Sequence, residues 1–392
     1  MIFVSLSIYT NMLITSKLPN VGTTIFSVMS QMAHKYNAVN LSQGFPDFDC
    51  DPFLVEQTHK YMQLGLNQYA HTNGLPLLRQ KIAEKIAITH QINIDPETEI
   101  TVTAGGTQAL FTAIAALVHP NDEVIVFDPS YDSYVPAIEL QGAIPVRLRL
   151  EAPLFEIPWD KLQRAITPKT KLIIVNSPHN PAASIWAEND WNTLAKITEN
   201  TNIIVLSDEV YEHLVYDKQR HFSVLQHQDL RNCSLAVYSF GKTLHATGWK
   251  VGYCVANPVL MNEFRKVHQF LVFSVNTPLQ YAIADHIAES DNYLLLNNFF
   301  EQKRNLFVQL LEGSRFELLP TRGSYFQLAN YKNIQPNMLD RDFAQWLTQY
   351  HGVASIPISV FYHDGFCQQI VRFCFAKKDE TLQKAAELLN KV

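Results

Sequence analysis

The sequence predicts an α/β fold: a large domain with a seven-stranded, mostly parallel sheet between helices, followed by a smaller α+β domain. Three observations predict it. From Glu99 onward, short apolar runs of strand length alternate with helix-like stretches, the pattern of parallel strands joined by crossover helices. The chain has 392 residues, 47% hydrophobic and 17% charged, which is enough for more than one core and too apolar for disorder. After about Pro278 the alternation gives way to a long helical stretch and then isolated strands.

The leader, residues 1–9, is apolar but has no Lys or Arg before Lys17, so the positive front end of a secretory signal is missing. Met12 offers an alternative start, and residues 1–17 read as an extension without function. Residues 18–50 hold no strand pattern suited to the large sheet and are expected to pack on the small domain or bridge the two. Residues 51–285 are expected to form the large domain, with strands at 100–104, 123–127, 144–150, 171–176, 203–207, 235–240 and 252–256 and helices such as 109–118 and 191–199. Residues 286–392 are expected to form the small domain. Its elements are a helical stretch running through Leu311, a strand at 324–328, a helix at 340–350, a strand at 370–375 and a closing helix.

Composition excludes several classes of function. The formal charge is −6, and adjacent basic residues in the last third occur only as isolated pairs such as Lys377-Lys378, so no polybasic face is expected to meet nucleic acid. The longest apolar run, 109–118, is broken by Thr112 and falls short of the roughly 20 residues that span a bilayer; no membrane partner is expected. The five cysteines form an odd set without a C-x-x-C pair, which suits neither a disulfide framework nor a metal site and points to a reducing cytoplasm.

Open sheets of this kind bind ligands beyond the carboxyl ends of their strands, and polar residues cluster there. One apolar strand ends in Ser207-Asp208-Glu209-Val210-Tyr211 and another in Ser177-Pro178-His179-Asn180-Pro181. Taken singly, Asp208 reads more readily as a helix cap, and Asn180 reads as an ordinary turn residue. A third strand delivers Ser239-Phe240-Gly241-Lys242-Thr243. Three readings compete for it. A phosphate-binding P-loop needs glycines where Val237 to Phe240 continue the strand. A Ser-Lys acyl enzyme, from Ser239 and Lys242, lacks its companion motifs. The third reading is a pyridoxal phosphate enzyme with Lys242 joined covalently to the cofactor, and it alone uses every strand-end residue. Asp208 would hold the pyridine nitrogen protonated, while Asn180 and Tyr211 would bond the phenolic oxygen. Gly105-Gly106-Thr107, opening a helix, would bind the phosphate with Ser239 and Lys250.

With these residues assembled, the chain resembles a fold-type I, class I/II aminotransferase from about Leu18 to its end. The motifs that carry the resemblance are Asn40 to Phe48 (NLSQGFPDF), Asn67-Gln68-Tyr69, Asp128 to Tyr134 (DPSYDSY), Pro178-His179-Asn180-Pro181, Ser207 to Tyr211, Ser239 to Thr243 and Thr247-Gly248-Trp249-Lys250. They are most similar to the branch of bacterial methionine aminotransferases and kynurenine aminotransferases (glutamine transaminase K).

The resemblance implies pyridoxal phosphate as cofactor, Lys242 as the Schiff-base lysine and proton shuttle, and Asp208, Tyr211 and Asn180 as the ring-binding set. It implies that Tyr131 stacks on the ring, and that Tyr69 reaches the phosphate of a neighbouring subunit in a homodimer with shared active sites. Arg372 is implied to clamp the substrate α-carboxylate, with Gly44 and Asn180 beside it. Phe26 is implied to line the side-chain pocket, joined by Phe273 and Val275. Val275 stands where aromatic-selective relatives carry phenylalanine. The implied reaction moves the amino group of methionine or another large apolar or aromatic amino acid to a 2-oxo acid by a ping-pong route. Kynurenine or glutamine transamination and a cysteine-conjugate β-lyase on the same scaffold are the alternatives.

Overall fold

The structure, a computed structural model, describes residues 15–392; the alternative start at Met12 lies outside the described residues. Seven strands form one sheet in the spatial order Ile100–Thr103, Gly252–Ala256, Ser234–Ser239, Ile204–Asp208, Thr170–Asn176, Glu123–Asp128, Ile144–Arg149. Gly252–Ala256 runs antiparallel to both neighbours and the remaining pairs are parallel. The seven strand positions expected from the apolar runs are all occupied, with no end displaced by more than one residue.

These strands read as near-continuous apolar runs because helices cover both faces of the sheet. Side chains alternate between two cores. Leu172, Ile174, Ile204, Leu206, Leu235 and Val237 pack on one face with helix Gly106–Leu117, while Ile173, Val175, Val205, Ala236 and Tyr238 join the core on the other. The two-residue period has a direct consequence for the site. Asn176, Asp208 and Ser239, the last residues of three adjacent parallel strands, continue the series that faces helix Gly106–Leu117, so three polar groups converge at one end of one face.

A four-stranded antiparallel sheet follows, in the order Ile356–Pro357, Ile370–Cys374, Phe326–Asn330, Glu317–Leu318, and places Leu328 opposite Arg372. Helices Leu296–Leu310, Asp340–His351 and Asp379–Leu389 belong to the same region. The N-terminal segment joins this region through Val39–Asn40, which pairs in parallel with Val353–Ala354, and through the Leu41 carbonyl, which accepts from Cys374 N at 2.8 Å. It carries residues 41–48 across toward Lys242. Among the described residues no helix is long and apolar enough to cross a membrane.

Two details differ from the sequence reading. The helical stretch expected through Leu311 is divided into Thr277–His286, Asp291–Leu294 and Leu296–Leu310. Asn292 Nδ2 donates to the His286 carbonyl at 2.7 Å, and side chains that compete for backbone groups in this way favour turns over helix interiors. The strand expected from Ser324 begins at Phe326, because Ser324 adopts a left-handed φ of 60° that a strand does not accommodate.

Candidate active site

The strand ends open onto a cleft with about 660 Å³ of empty space, partly open to solvent, lined by Thr107, Tyr131, Asn180, Asp208, Tyr211 and Lys242 among others. Lys242 lies on the single helical turn Phe240–Thr243 that follows strand Ser234–Ser239. Its Nζ donates to the Tyr325 hydroxyl at 2.8 Å and to the Gly44 carbonyl at 3.1 Å. Burial disfavours its charged form and lowers its pKa to about 8, so a large fraction of the amine is neutral and nucleophilic at mildly alkaline pH.

Asp208 is buried at the end of its strand. Oδ2 accepts from the Tyr134 hydroxyl at 2.6 Å and Oδ1 from Val210 N at 3.3 Å. Burial nevertheless raises its pKa to about 6. The neighbouring acids face the other way. Glu209 accepts from Ser207 Oγ at 2.8 Å, Tyr238 at 3.0 Å and Val224 N at 3.0 Å, and meets His221 Nε2 at 2.8 Å. Glu212 pairs with the fully buried Lys85 at 2.7 Å. The segment is thereby pinned from behind, leaving Asp208 and Tyr211 toward the cleft.

Arg372, on strand Ile370–Cys374, is buried; Nη1 donates to Asn180 Oδ1 at 2.7 Å and Nη2 to the Ser42 carbonyl at 3.1 Å. Its Nε is buried and has no hydrogen-bond partner among the described residues. The Asn180 backbone is fixed in turn by Asn176 Oδ1, which accepts from Asn180 N at 2.7 Å. Tyr131 approaches Thr107 Oγ1 at 3.3 Å and packs edge-on to Tyr134. Gly105 has φ +83° at the start of helix Gly106–Leu117, and a Cβ there would lie 3.4 Å from Lys250 Nζ; Ser239 and Thr247 line the same end of the cleft.

The structure therefore brings Lys242, Asp208, Tyr211, Asn180, Tyr131, Gly106, Thr107, Ser239 and Lys250 to one cleft, with Gly105, Gly44 and Arg372 at its edges. Phe26 packs against Phe361 beside Arg372. Tyr69 stands apart: it is 80% exposed and meets Phe273 edge-on at 5.0 Å. Phe273 and the buried Val275 are likewise outside the cleft lining within one chain. Sequence reasoning missed Tyr134 and Tyr325. Tyr134 ends a quoted motif but signals no partner, and Tyr325 is marked only by the Gly323-Ser324 turn that precedes it.

The sequence pattern of the family "Aminotransferase class I and II" matches residues 36–389. The methionine aminotransferase of Escherichia coli K12 is 50% identical over 378 residues, covering 96% of this chain and 98% of that protein. Kynurenine–oxoglutarate transaminase 1 of Rattus norvegicus is 32% identical over 410 residues, covering 96% of this chain and 97% of its own. A crystal structure of an Escherichia coli methionine aminotransferase superposes with a TM-score of 0.96 at 49% identity, covering 97% of this chain and 100% of that one.

The residues fit the cofactor that such enzymes carry. A buried carboxylate whose pKa burial has raised is the setting in which a protonated ring nitrogen is a favourable partner. The helix start at Gly106, with the Lys250 ammonium beside it, offers N–H groups and positive charge to a phosphate, and Lys242 supplies a neutral amine for the aldehyde carbon. The chain belongs to the class I and II aminotransferases, enzymes that move amino groups with pyridoxal phosphate.

Proposed function

We propose that the donor is methionine or another large apolar or aromatic L-amino acid, and that a 2-oxo acid then takes the amine in a ping-pong cycle. The observation that carries this substrate class is the setting of Arg372. Its guanidinium carbon lies 3.9 Å from the ring centre of Phe326, 5.4 Å from that of Phe26 and 5.7 Å from that of Phe361. An α-carboxylate clamped by that planar fork leaves the rest of the amino acid among phenyl rings. There an apolar side chain gains from burial, whereas a second carboxylate would need its own cation. The relatives named for methionine and for kynurenine agree with this chemistry, and their names favour transamination over carbon–sulfur elimination.

Pyridoxal phosphate supplies an electron sink that acidifies the substrate α-carbon. In this reading Asp208 keeps that sink effective by holding the ring nitrogen protonated, and Tyr211 and Asn180 bond the phenolic oxygen. Tyr131 would cover the ring, and Gly105, Gly106, Thr107, Ser239 and Lys250 would hold the phosphate. Lys242 would serve as the base that moves the substrate α-proton, while Arg372, Gly44 and Asn180 would fix the carboxylate.

We read the active unit as a homodimer, because the exposed pair Tyr69 and Phe273 suits contact with a second copy whose phosphate site Tyr69 would complete. A reducing cytoplasm suits the five free cysteines. Residues 51–285 and 286–392 are read as its large and small domains.

The test is direct. Purified protein with pyridoxal phosphate, methionine and a 2-oxo acid acceptor should yield the 2-oxo acid of methionine, with kcat/KM for methionine at least about tenfold above that for aspartate, as expected for an apolar pocket refusing a charge. A preference for aspartate would overturn the substrate class.

A further inference from the structure

The residue nearest the reactive amine of Lys242 is one that no motif singles out. Tyr325 is buried at the entry to strand Phe326–Asn330, and its position is tightly set. A Cβ on Gly323 would lie 2.7 Å from Pro178 Cβ and from Ile185 Cγ2, so the turn passes only as glycine. Ser324 N donates to the Leu214 carbonyl at 2.9 Å, and the Tyr325 carbonyl accepts from Phe375 N at 3.0 Å. The ring packs at 83° to Tyr211 with centroids 5.1 Å apart.

The hydroxyl closes a triangle. It accepts from Lys242 Nζ at 2.8 Å and donates to the Gly44 carbonyl at 2.5 Å, and Lys242 Nζ donates to the same carbonyl at 3.1 Å. Two N–H groups of the lysine are thus engaged at once. A lysine nitrogen bonded to the cofactor keeps at most one N–H, so the full pair of contacts is open only to the free amine. Gly44 belongs to the N-terminal segment, whose Ser42 carbonyl also accepts from Arg372 Nη2 at 3.1 Å.

We propose that Tyr325 is a further catalytic residue: its hydroxyl, backed by the Gly44 carbonyl, is the docking point of the Lys242 amine whenever that amine is not bonded to the cofactor. The hydroxyl holds the released nitrogen close to where it must take and return the substrate proton, and it ties the N-terminal segment at Gly44 to the state of the lysine. The inference rests on the role assigned to Lys242 above.

The experiment compares wild type with Tyr325→Phe, stripped of cofactor and then mixed with pyridoxal phosphate across pH 6 to 10. Condensation of the neutral amine with the aldehyde expels water and changes the cofactor absorbance, so the pH midpoint of the capture rate reports the lysine ammonium. Removing an acceptor from the charged form lowers that midpoint, by about one unit. Lys242 also faces Asp208, Lys250, Arg372, Cys374 and Tyr211, all unchanged in the variant. Turnover with methionine should fall by about tenfold to a hundredfold while cofactor is retained, a loss on the scale of a misplaced acid–base group. If Tyr325→Phe does not fold, fluorotyrosine at position 325, a weaker acceptor on the same ring, should give a smaller shift of the same sign. An unchanged midpoint with unchanged turnover overturns the role of Tyr325 alone. Failure of the wild type to condense through Lys242 overturns the underlying site reading as well.

Discussion

Tyr134 donates its phenolic hydrogen to Asp208 Oδ2 across 2.6 Å, with both side chains buried. Burial drives the Asp208 pKa up to about 6, and this hydrogen bond is the largest influence holding it down. A bond that favours the charged carboxylate also favours any cation placed against it.

Tyr134→Phe keeps the ring and removes the donor, so the Asp208 pKa should climb further and the carboxylate should be protonated over more of the neutral range. Pyridoxal phosphate affinity is then expected to fall by about tenfold at pH 7, the scale of one hydrogen bond to a charged group, and to recover toward wild type near pH 9. Absorbance titration at the two pH values checks this; a deficit equal at both would show that Tyr134 acts by packing alone.

Asp208 also makes the cofactor-free protein pH-dependent. Its folded pKa of about 6 lies above the ordinary 3.8, so the folded chain holds this proton more tightly than the unfolded one. The group's contribution is complete below about pH 4 and is lost as pH rises through about 6, a change of about 3 kcal/mol. Asp208→Asn still accepts from Tyr134 but does not ionise. Without cofactor it should gain on the wild type by a few degrees in Tm between pH 5 and pH 8, while its cofactor affinity drops. Thermal melts of both proteins at the two pH values decide it, and a gap that does not widen with pH would reject the account.

Lys242→Ala should leave the fold intact, since among the described residues its amine hydrogen-bonds only to Gly44 and Tyr325, and should lower steady-state transamination by about 10³-fold or more, as loss of both nucleophile and proton carrier requires. Circular dichroism together with turnover measures both; retained turnover would remove Lys242 from the chemistry.

What could be read in advance follows from how local each signal is. The strands were legible because parallel strands buried on both faces are continuous apolar runs, and Lys242, Asp208 and Asn180 were legible because a polar residue directly after such a run is conspicuous. Tyr134 and Tyr325 were not, since their significance lies in partners 74 and 83 residues away. The backing of Glu209 and Glu212 by Tyr238, His221 and Lys85 was hidden for the same reason. Arg372, inside an apolar strand, had no local mark at all and was reached only through family resemblance.

Arg372 and Phe26 separate carboxylate binding from side-chain choice. Every amino-acid donor shares the α-carboxylate, so Arg372→Lys, which keeps the charge but loses the planar fork held by Asn180 and Ser42, should cut kcat/KM by about 10²-fold to the same extent for methionine, phenylalanine and alanine. Phe26 touches the guanidinium only through its ring face, so Phe26→Ala removes apolar wall rather than charge. It should cost large donors about 1–3 kcal/mol in kcat/KM and leave alanine nearly unaffected, because small side chains do not reach the wall. Measuring three donors against two variants gives six ratios. If Arg372→Lys discriminated between donors, or Phe26→Ala did not, the carboxylate and the side chain would have to be docked the other way round.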